Sequence, residues 1–192
     1  LRYLLARWGY EEIRTPIVEE RRLFERTVGE TSDIVAKELY GFSDRKGRML
    51  ALRPEGTAPV VRAYLQHGLH RQRRVVRLWY SGPMFRYDRP QKDRYRQFHQ
   101  VGVEIFGGAH PSYDGEVIHL LAEALSCLGI GGARFEVNAV GCRTCRPAYA
   151  QALRSHCENV REALCEDCRR RWAENPLRML DCKHEECRQV LS

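Results

Sequence analysis

Between Tyr80 and Phe106 the chain gathers arginines, carboxylates and aromatic side chains into a span short enough to be one β-hairpin. Read with a period of two, the second arm places Arg94, Arg96, Phe98, Gln100, Gly102 and Glu104 on one side and Val101, Val103 and Ile105 on the other. The first side offers cations to phosphate, an aromatic plane to a base and polar groups to a small substrate. An antiparallel sheet can hold a nucleotide in this way. On the first arm Arg86 and Asp88 share a face, and Arg89-Pro90-Gln91-Lys92-Asp93 between the arms is too long for a two-residue turn.

A second set of reactive side chains lies toward the C-terminus. Cys142-Arg143-Thr144-Cys145 and Cys165-Glu166-Asp167-Cys168 form a C-x2-C, x19, C-x2-C array, a spacing that suits a structural zinc ion held by Cys142, Cys145, Cys165 and Cys168. Four thiolates complete a tetrahedral ion and leave no position for a reactive water. Cys182, His184 and Cys187 are rival ligands. Helical spacing of Cys157, Cys165 and Cys168 leaves packed thiols as the other reading.

The elements that must position these groups are legible as periodic segments. A helix ends near Gly9, Glu11 to Val18 reads as a strand, and Leu39 to Phe42 with Arg48 to Leu52 reads as a hairpin around Ser43 to Gly47. A helix follows in which Thr57 can serve as the cap, Pro59 sits in the first turn, Val60, Val61, Tyr64 and Leu65 form the apolar stripe and Gly68 is the stop. After a strand over Val75 to Tyr80 and the hairpin, a helix spans about Ser112 to Leu128, with Val117, Leu121, Ala124 and Leu128 on one face. Strands outnumber crossover helices, so the expected class is α+β, an antiparallel sheet flanked by helices. Around Asn138 the composition shifts from a single cysteine to seven in 55 residues of arginine-rich sequence with helical spacing. The expected organisation is a core over 1–137 and a mainly helical segment over 138–192.

Composition bounds the partners. Four of the 32 basic residues are lysine, which leaves 28 arginines and a formal charge of +7 over 192 residues. Arginine suits phosphate through its planar fork of donors, although genomic codon bias gives the same excess. No apolar run approaches the roughly 20 residues of a membrane span, and the N-terminal residues lack a signal-peptide core. A cytoplasmic location is expected, and there disulfides are rare.

The hairpin also resembles a known family. Gly82-Pro83-Met84-Phe85-Arg86, the loop Arg89-Pro90-Gln91-Lys92, and Arg94-Tyr95-Arg96-Gln97-Phe98-His99-Gln100 resemble motif 2 of the histidyl-tRNA synthetases, a family of class II aminoacyl-tRNA synthetases. Arg53-Pro54-Glu55-Gly56-Thr57 resembles the segment with which that family holds its amino acid. Thr15-Pro16-Ile17 resembles the end of motif 1, and the likeness continues to Asn175-Pro176-Leu177-Arg178 and Leu180-Asp181-Cys182-Lys183. The resemblance implies a homodimeric ligase that joins L-histidine to tRNA(His) with ATP and Mg2+, with the dimer interface near Pro16.

It also implies roles. Arg86 would be the catalytic arginine bridging the α-phosphate and the substrate carboxylate, Phe98 the platform for adenine, and Arg94 a contact to the outer phosphates. Asp88 stands where the family usually has glutamate, facing the adenine amino group. Glu55, Gly56, Thr57, Gln100 and Glu104 would bind histidine, while His99, on the other strand face, reads as structural. Arg89 and Gln91 would touch the tRNA acceptor end, or form a solvated loop. Motif 3, the segment with a second catalytic arginine and the anticodon-binding domain would lie beyond Ser192, so the chain reads as a fragment inactive by itself. Two alternatives stand beside the ligase. One is the synthetase-like regulatory subunit of ATP phosphoribosyltransferase, which should lack the Arg89 to Lys92 loop and the intact Arg94 to Gln100 run. The other is a zinc-stabilised RNA-binding module.

Overall fold

Leu4 and Leu5 form the buried side of the first helix, α1 (Arg2–Arg7), and Gly9, at φ +76°, turns the chain out of it. The computed structural model describes residues 1–28, 34–88, 94–138 and 141–191. They divide into two units, Leu1–Phe135 and Glu136–Ser192. The loop residues Arg89 and Gln91 lie outside the described residues.

In the first unit the strand expected over Glu11 to Val18 is two short strands in different sheets. β1 (Glu11–Glu12) pairs in parallel with a later strand, and β2 (Val18–Glu20) joins a second sheet. Pro16 supplies no ladder donor and restricts Thr15, so the chain changes sheets at this point. After α2 (Arg21–Val28) and a π-helical turn at Ile34–Glu38, β3 (Gly41–Ser43) and β4 (Met49–Leu52) complete the antiparallel sheet β2-β4-β3. Asp44 closes their turn by accepting the amides of Lys46 and Arg48. α3 (Thr57–Gln66) follows, and Gly68, at φ +63°, ends it.

β5 (Val76–Phe85) and β6 (Gln97–Phe106) form the long antiparallel pair of the sheet β1-β5-β6. The first arm of the hairpin and the strand before it are thus continuous. Phe98 stands opposite Met84, Gln100 opposite Gly82, Gly102 opposite Tyr80 and Glu104 opposite Leu78. Odd-numbered residues face one way: Trp79, Val103 and Ile105 pack with Leu4, Leu5 and Tyr10. Even-numbered residues face the other: Val76, Leu78, Tyr80, Met84, Phe98 and Phe106 pack with Val60 and Tyr64 of α3. A third cluster, Phe24, Val35, Ala51 and Ala58, joins α2 and α3 to β4.

The last helix of this unit, α4 (Ser112–Cys127), is rotated from its expected face. Leu120 is 3% exposed and joins the core, while Leu121 and Leu128 are 49% and 58% exposed. Two carboxylates set the rotation. Glu116 takes both ends of the Arg77 guanidinium, at 2.7 and 2.9 Å, and Glu123 accepts the Trp8 indole N–H at 2.7 Å. Residues 116, 120 and 123 share one helical face, so charged groups that a hydropathy stripe ignores decide the packing.

Among the described residues the regular elements of the second unit are all helical: α5 (Cys145–Cys157), a 3₁₀ run Glu158–Ala163, α6 (Glu166–Glu174), a 3₁₀ run Pro176–Asp181 and α7 (Glu185–Leu191). Leu164, extended at ψ 146°, breaks the helical path, so Cys157 and Cys165 do not share a helix face as expected. Leu153, Leu164 and Met179 are buried with Cys157, Cys168, Cys182 and Cys187. No helix among the described residues is long and apolar enough to cross a membrane.

The rotated face of α4 has a measurable consequence. Leu120→Ala should destabilise the chain by about 2–5 kcal/mol in urea denaturation, and Leu121→Ala should change it by about 0.5 kcal/mol or less. The reverse order would restore the apolar face read from periodicity.

Candidate active site

The segment Arg53 to Thr57 leaves β4, crosses β5 and starts α3, so each of its residues touches a different element. Arg53 comes first and is 6% exposed. Its Nε donates to the Pro83 carbonyl at 2.9 Å, and its Nη1 donates to Thr15 O at 3.0 Å and Thr15 Oγ1 at 3.1 Å. Its backbone extends the ladder, the amide donating to Ile17 O at 2.9 Å and the carbonyl accepting from the Phe85 amide at 3.0 Å. Burial pulls the Arg53 pKa below its usual value, while the charges of Tyr80 and Glu19 oppose the shift. Gly82 is required beneath it, since a Cβ there would lie 2.4 Å from Arg53 Nη2.

Pro54 then presents its carbonyl to Arg86, whose Nε donates at 2.9 Å. The Arg86 guanidinium lies over the Phe98 ring, 5.3 Å from its centroid, a cation–π contact that holds both groups beside the strand end. Among the described residues that guanidinium makes no other hydrogen bond, so its terminal nitrogens are available to an anion. Arg94 and Asp88 pair with each other at 2.8 Å near the surface. A pair exposed to this degree contributes little, about 0–1 kcal/mol, and a polyphosphate can draw Arg94 away from it.

Glu55 stands before α3, and its two oxygens accept the amides of Thr57 at 2.6 Å and Ala58 at 2.9 Å. The expected cap, Thr57, is therefore replaced by a carboxylate at the positive end of the helix. This frees the Thr57 hydroxyl, which lowers the pKa of both Glu104 and Tyr80 against the effect of their burial. Gly56 has a packing reason: the Tyr80 ring is pressed between Gly56 and Gly102, where added Cβ atoms would sit 2.1 and 2.3 Å from ring atoms. Glu104 is held above the ordinary carboxylate range, chiefly because it is desolvated and also by the charge of Glu55, with the Thr57 hydroxyl opposing. Burial likewise raises the Tyr80 phenol.

The structure thus brings Arg86, Phe98, Glu55, Gly56, Thr57 and Glu104 around the even-numbered face of β6, with Gln100 between Phe98 and Gly102 on the same side. His99 is exposed on the opposite side. Sequence reasoning missed Tyr80 as a member and Arg53 as the anchor. The signal for Tyr80 is a large aromatic cross-strand from a glycine in the hairpin, an arrangement that fills the missing side chain.

The cysteines assemble differently from the expected array. Among the described residues the close group is Cys165, Cys168, Cys182 and Cys187, with all four Sγ atoms within 4.8 Å of one another. Cys142 and Cys145 are outside it. They are exposed, and they bond locally, the Cys142 amide donating to Cys145 Sγ at 3.0 Å. Amides of Thr144 and Cys145 point at Cys142 Sγ and pull its pKa to about 7. The second C-x2-C matched the spacing range, but Cys142-x2-Cys145 closes on itself at the head of α5 instead of reaching α6.

Comparisons with known proteins agree with this architecture. A family model for histidyl-tRNA synthetase matches residues 1–167. The histidine–tRNA ligase of Aquifex aeolicus (strain VF5) is 54% identical over 187 residues, which is 97% of this chain and 46% of that protein. The histidine–tRNA ligase of Desulforudis audaxviator (strain MP104C) is 54% identical over 190 residues, 99% of this chain and 45% of that one. Among solved structures, apo S. aureus histidyl-tRNA synthetase covers the whole chain with a TM-score of 0.71 at 35% identity, the match spanning 44% of its own length. A Bacillus halodurans structure described as an ATP phosphoribosyltransferase regulatory subunit/histidyl-tRNA synthetase gives a TM-score of 0.59 at 27% identity, over 99% of this chain and 48% of that one. The fold is that of the class II synthetases, an antiparallel sheet flanked by helices. The chain belongs to the histidyl-tRNA synthetase family. It spans under half the length of the curated relatives it matches.

Glu104 gives the site a pH signature. Its pKa in the folded chain lies above the usual 4.5, so the unfolded chain loses this proton first and the carboxylate opposes folding increasingly as pH rises from 4.5 through the folded value. Glu104→Gln should therefore be more stable than the parent at pH 7, and the difference should vanish below pH 4.5. Paired denaturant titrations at the two pH values measure this, and a variant less stable at pH 7 would refute the desolvated carboxylate.

Proposed function

We propose that this chain supplies the ATP- and histidine-binding part of a histidine–tRNA ligase. In that reaction the histidine carboxylate attacks the α-phosphate of ATP, pyrophosphate leaves, and the histidyl group of the adenylate passes to a terminal hydroxyl of tRNA(His) as AMP leaves. The carrying observation is the position of Arg86, fixed by the Pro54 carbonyl and the Phe98 ring, with no hydrogen-bond partner for its terminal nitrogens among the described residues.

Two anions must meet for the first step. Arg86 would neutralise the substrate carboxylate and the α-phosphate together, and a fixed cation requires no reorganisation as charge develops. Phe98 offers the adenine ring a face, Asp88 a carboxylate for the adenine amino group, and Arg94 a cation for the outer phosphates. Mg2+, carried with ATP, would screen those phosphates with few protein ligands. Glu55, Thr57, Gln100 and Glu104, with Gly56 setting the close approach of the segment, form the polar pocket for the ammonium and imidazole of histidine. A desolvated carboxylate discriminates strongly, because an apolar isostere would leave it unpaired.

Further parts of the reading rest on the family. Arg89 and Gln91 would contact the tRNA acceptor end. The enzyme would act in the cytoplasm as a homodimer, with the surface near Pro16 at the interface, where Ile17 and Val18 are both 41% exposed. The regulatory-subunit alternative has weaker support, since the neighbour carrying that description is 27% identical and the ligases are 54% identical.

Arg86→Ala in a complete ligase carrying this chain should lower histidine-dependent ATP–pyrophosphate exchange by roughly 10²–10³-fold with an unchanged circular dichroism spectrum. Exchange near the parent rate would remove Arg86 from the mechanism.

A further inference from the structure

The core of the second unit is unusual in composition. Four of its seven buried members are cysteines, namely Cys157, Cys168, Cys182 and Cys187, beside Leu153, Leu164 and Met179. A unit confined to residues 136–192 has little apolar area to bury, and domains of this size commonly depend on a disulfide or a metal. The cysteines of the described residues are all free thiols.

Three of these four cysteines do not pack at random. Cys168, Cys182 and Cys187 converge with the half-buried Cys165, every Sγ within 4.8 Å of the others, and Cys165 Sγ lies 3.9 Å from Cys182 Sγ. A disulfide needs about 2 Å. A tetrahedral ion with metal–sulfur bonds of about 2.3 Å holds its sulfurs about 3.8 Å apart. The backbone repeats one construction twice. Cys165 is extended, at φ −62° and ψ 162°, just before α6, and Cys168 follows in the first turn. Cys182 is extended, at φ −65° and ψ 136°, just before α7, and Cys187 follows near its start. The Cys165 amide also donates to Cys187 Sγ at 3.1 Å, a contact that supports negative charge on sulfur and ties the two constructions together.

We propose that Cys165, Cys168, Cys182 and Cys187 bind one zinc ion that closes the second unit. Binding converts four thiols to thiolates and releases their protons, with no change of oxidation state. With three sulfurs buried and four bonds made, no position remains for water or substrate, so the ion is structural. Cys157 is fully buried in the same core yet is outside the group and remains a packed thiol, and His184, a rival by spacing, is outside it as well. The inference does not depend on the ligase reading, and its readout is metal content.

Elemental analysis of the chain, expressed without added metal and purified without chelator, should find about one zinc per chain. Cys182→Ser and Cys187→Ser should each lose it, while Cys157→Ala and the double variant Cys142→Ser with Cys145→Ser should keep it. Because a serine variant can fail to fold, the metal-stripped parent should also be titrated with cobalt(II). The intense thiolate-to-cobalt charge-transfer band and the visible bands of a tetrahedral four-sulfur site are expected. Absence of metal, iron in place of zinc, retention of zinc by both serine variants of the group, loss in the Cys142/Cys145 double variant, or a cobalt spectrum without tetrathiolate features would each overturn the assignment.

Discussion

A guanidinium buried among backbone carbonyls holds the first unit of this chain together. Removing Arg53 from water is unfavourable by several kcal/mol, and the structure offsets this with hydrogen bonds to Pro83 O, Thr15 O and Thr15 Oγ1. Those acceptors belong to β5 and to the crossing before β2. The charge therefore fixes where the segment leaving β4 lies against the hairpin. Everything at the site is then counted from Arg53: the next carbonyl receives Arg86, the next carboxylate starts α3, the next residue is a glycine against Tyr80, and the next hydroxyl opposes the raised pKa of Glu104. A shift of this segment by one residue would misplace all four.

Period-two alternation was enough to place Phe98, Gln100 and Glu104 on one face of β6, because strand geometry leaves no other choice once the hairpin is recognised. The resemblance of Arg53 to Thr57 marked the segment that lies beside that face. What alternation could not supply was the partner across the sheet. Tyr80 enters the site only through the register that sets it opposite Gly102, and Gly82 matters only because Arg53 lies on it. Both are long-range contacts with no local signature. The face of α4 failed for a different reason: Glu116 and Glu123 pair with Arg77 and Trp8, and these charge-assisted bonds outrank the exposure of Leu121 and Leu128.

The second unit makes the same point with sulfur. C-x2-C spacing singled out Cys165 and Cys168, and the rival ligands Cys182 and Cys187 lie beside them, whereas Cys142 and Cys145, with the same spacing, are joined only by local amide–sulfur hydrogen bonds at the head of α5. Spacing reports how two thiols can share one turn. It does not report which pairs meet, since that depends on how the extended residues at Leu164 and Cys182 redirect the chain.

If the hairpin and the Arg53 to Thr57 segment form a single adenylate site, a crystal structure of a complete ligase carrying this chain, bound to a non-hydrolysable analogue of histidyl adenylate, tests it most directly. The adenine should lie on Phe98, the phosphate oxygens should accept hydrogen bonds from Arg86, and the imidazole and ammonium should face Glu55, Thr57 and Glu104. An analogue bound away from β6, or one that leaves Arg86 without a contact to its phosphate, would contradict the site.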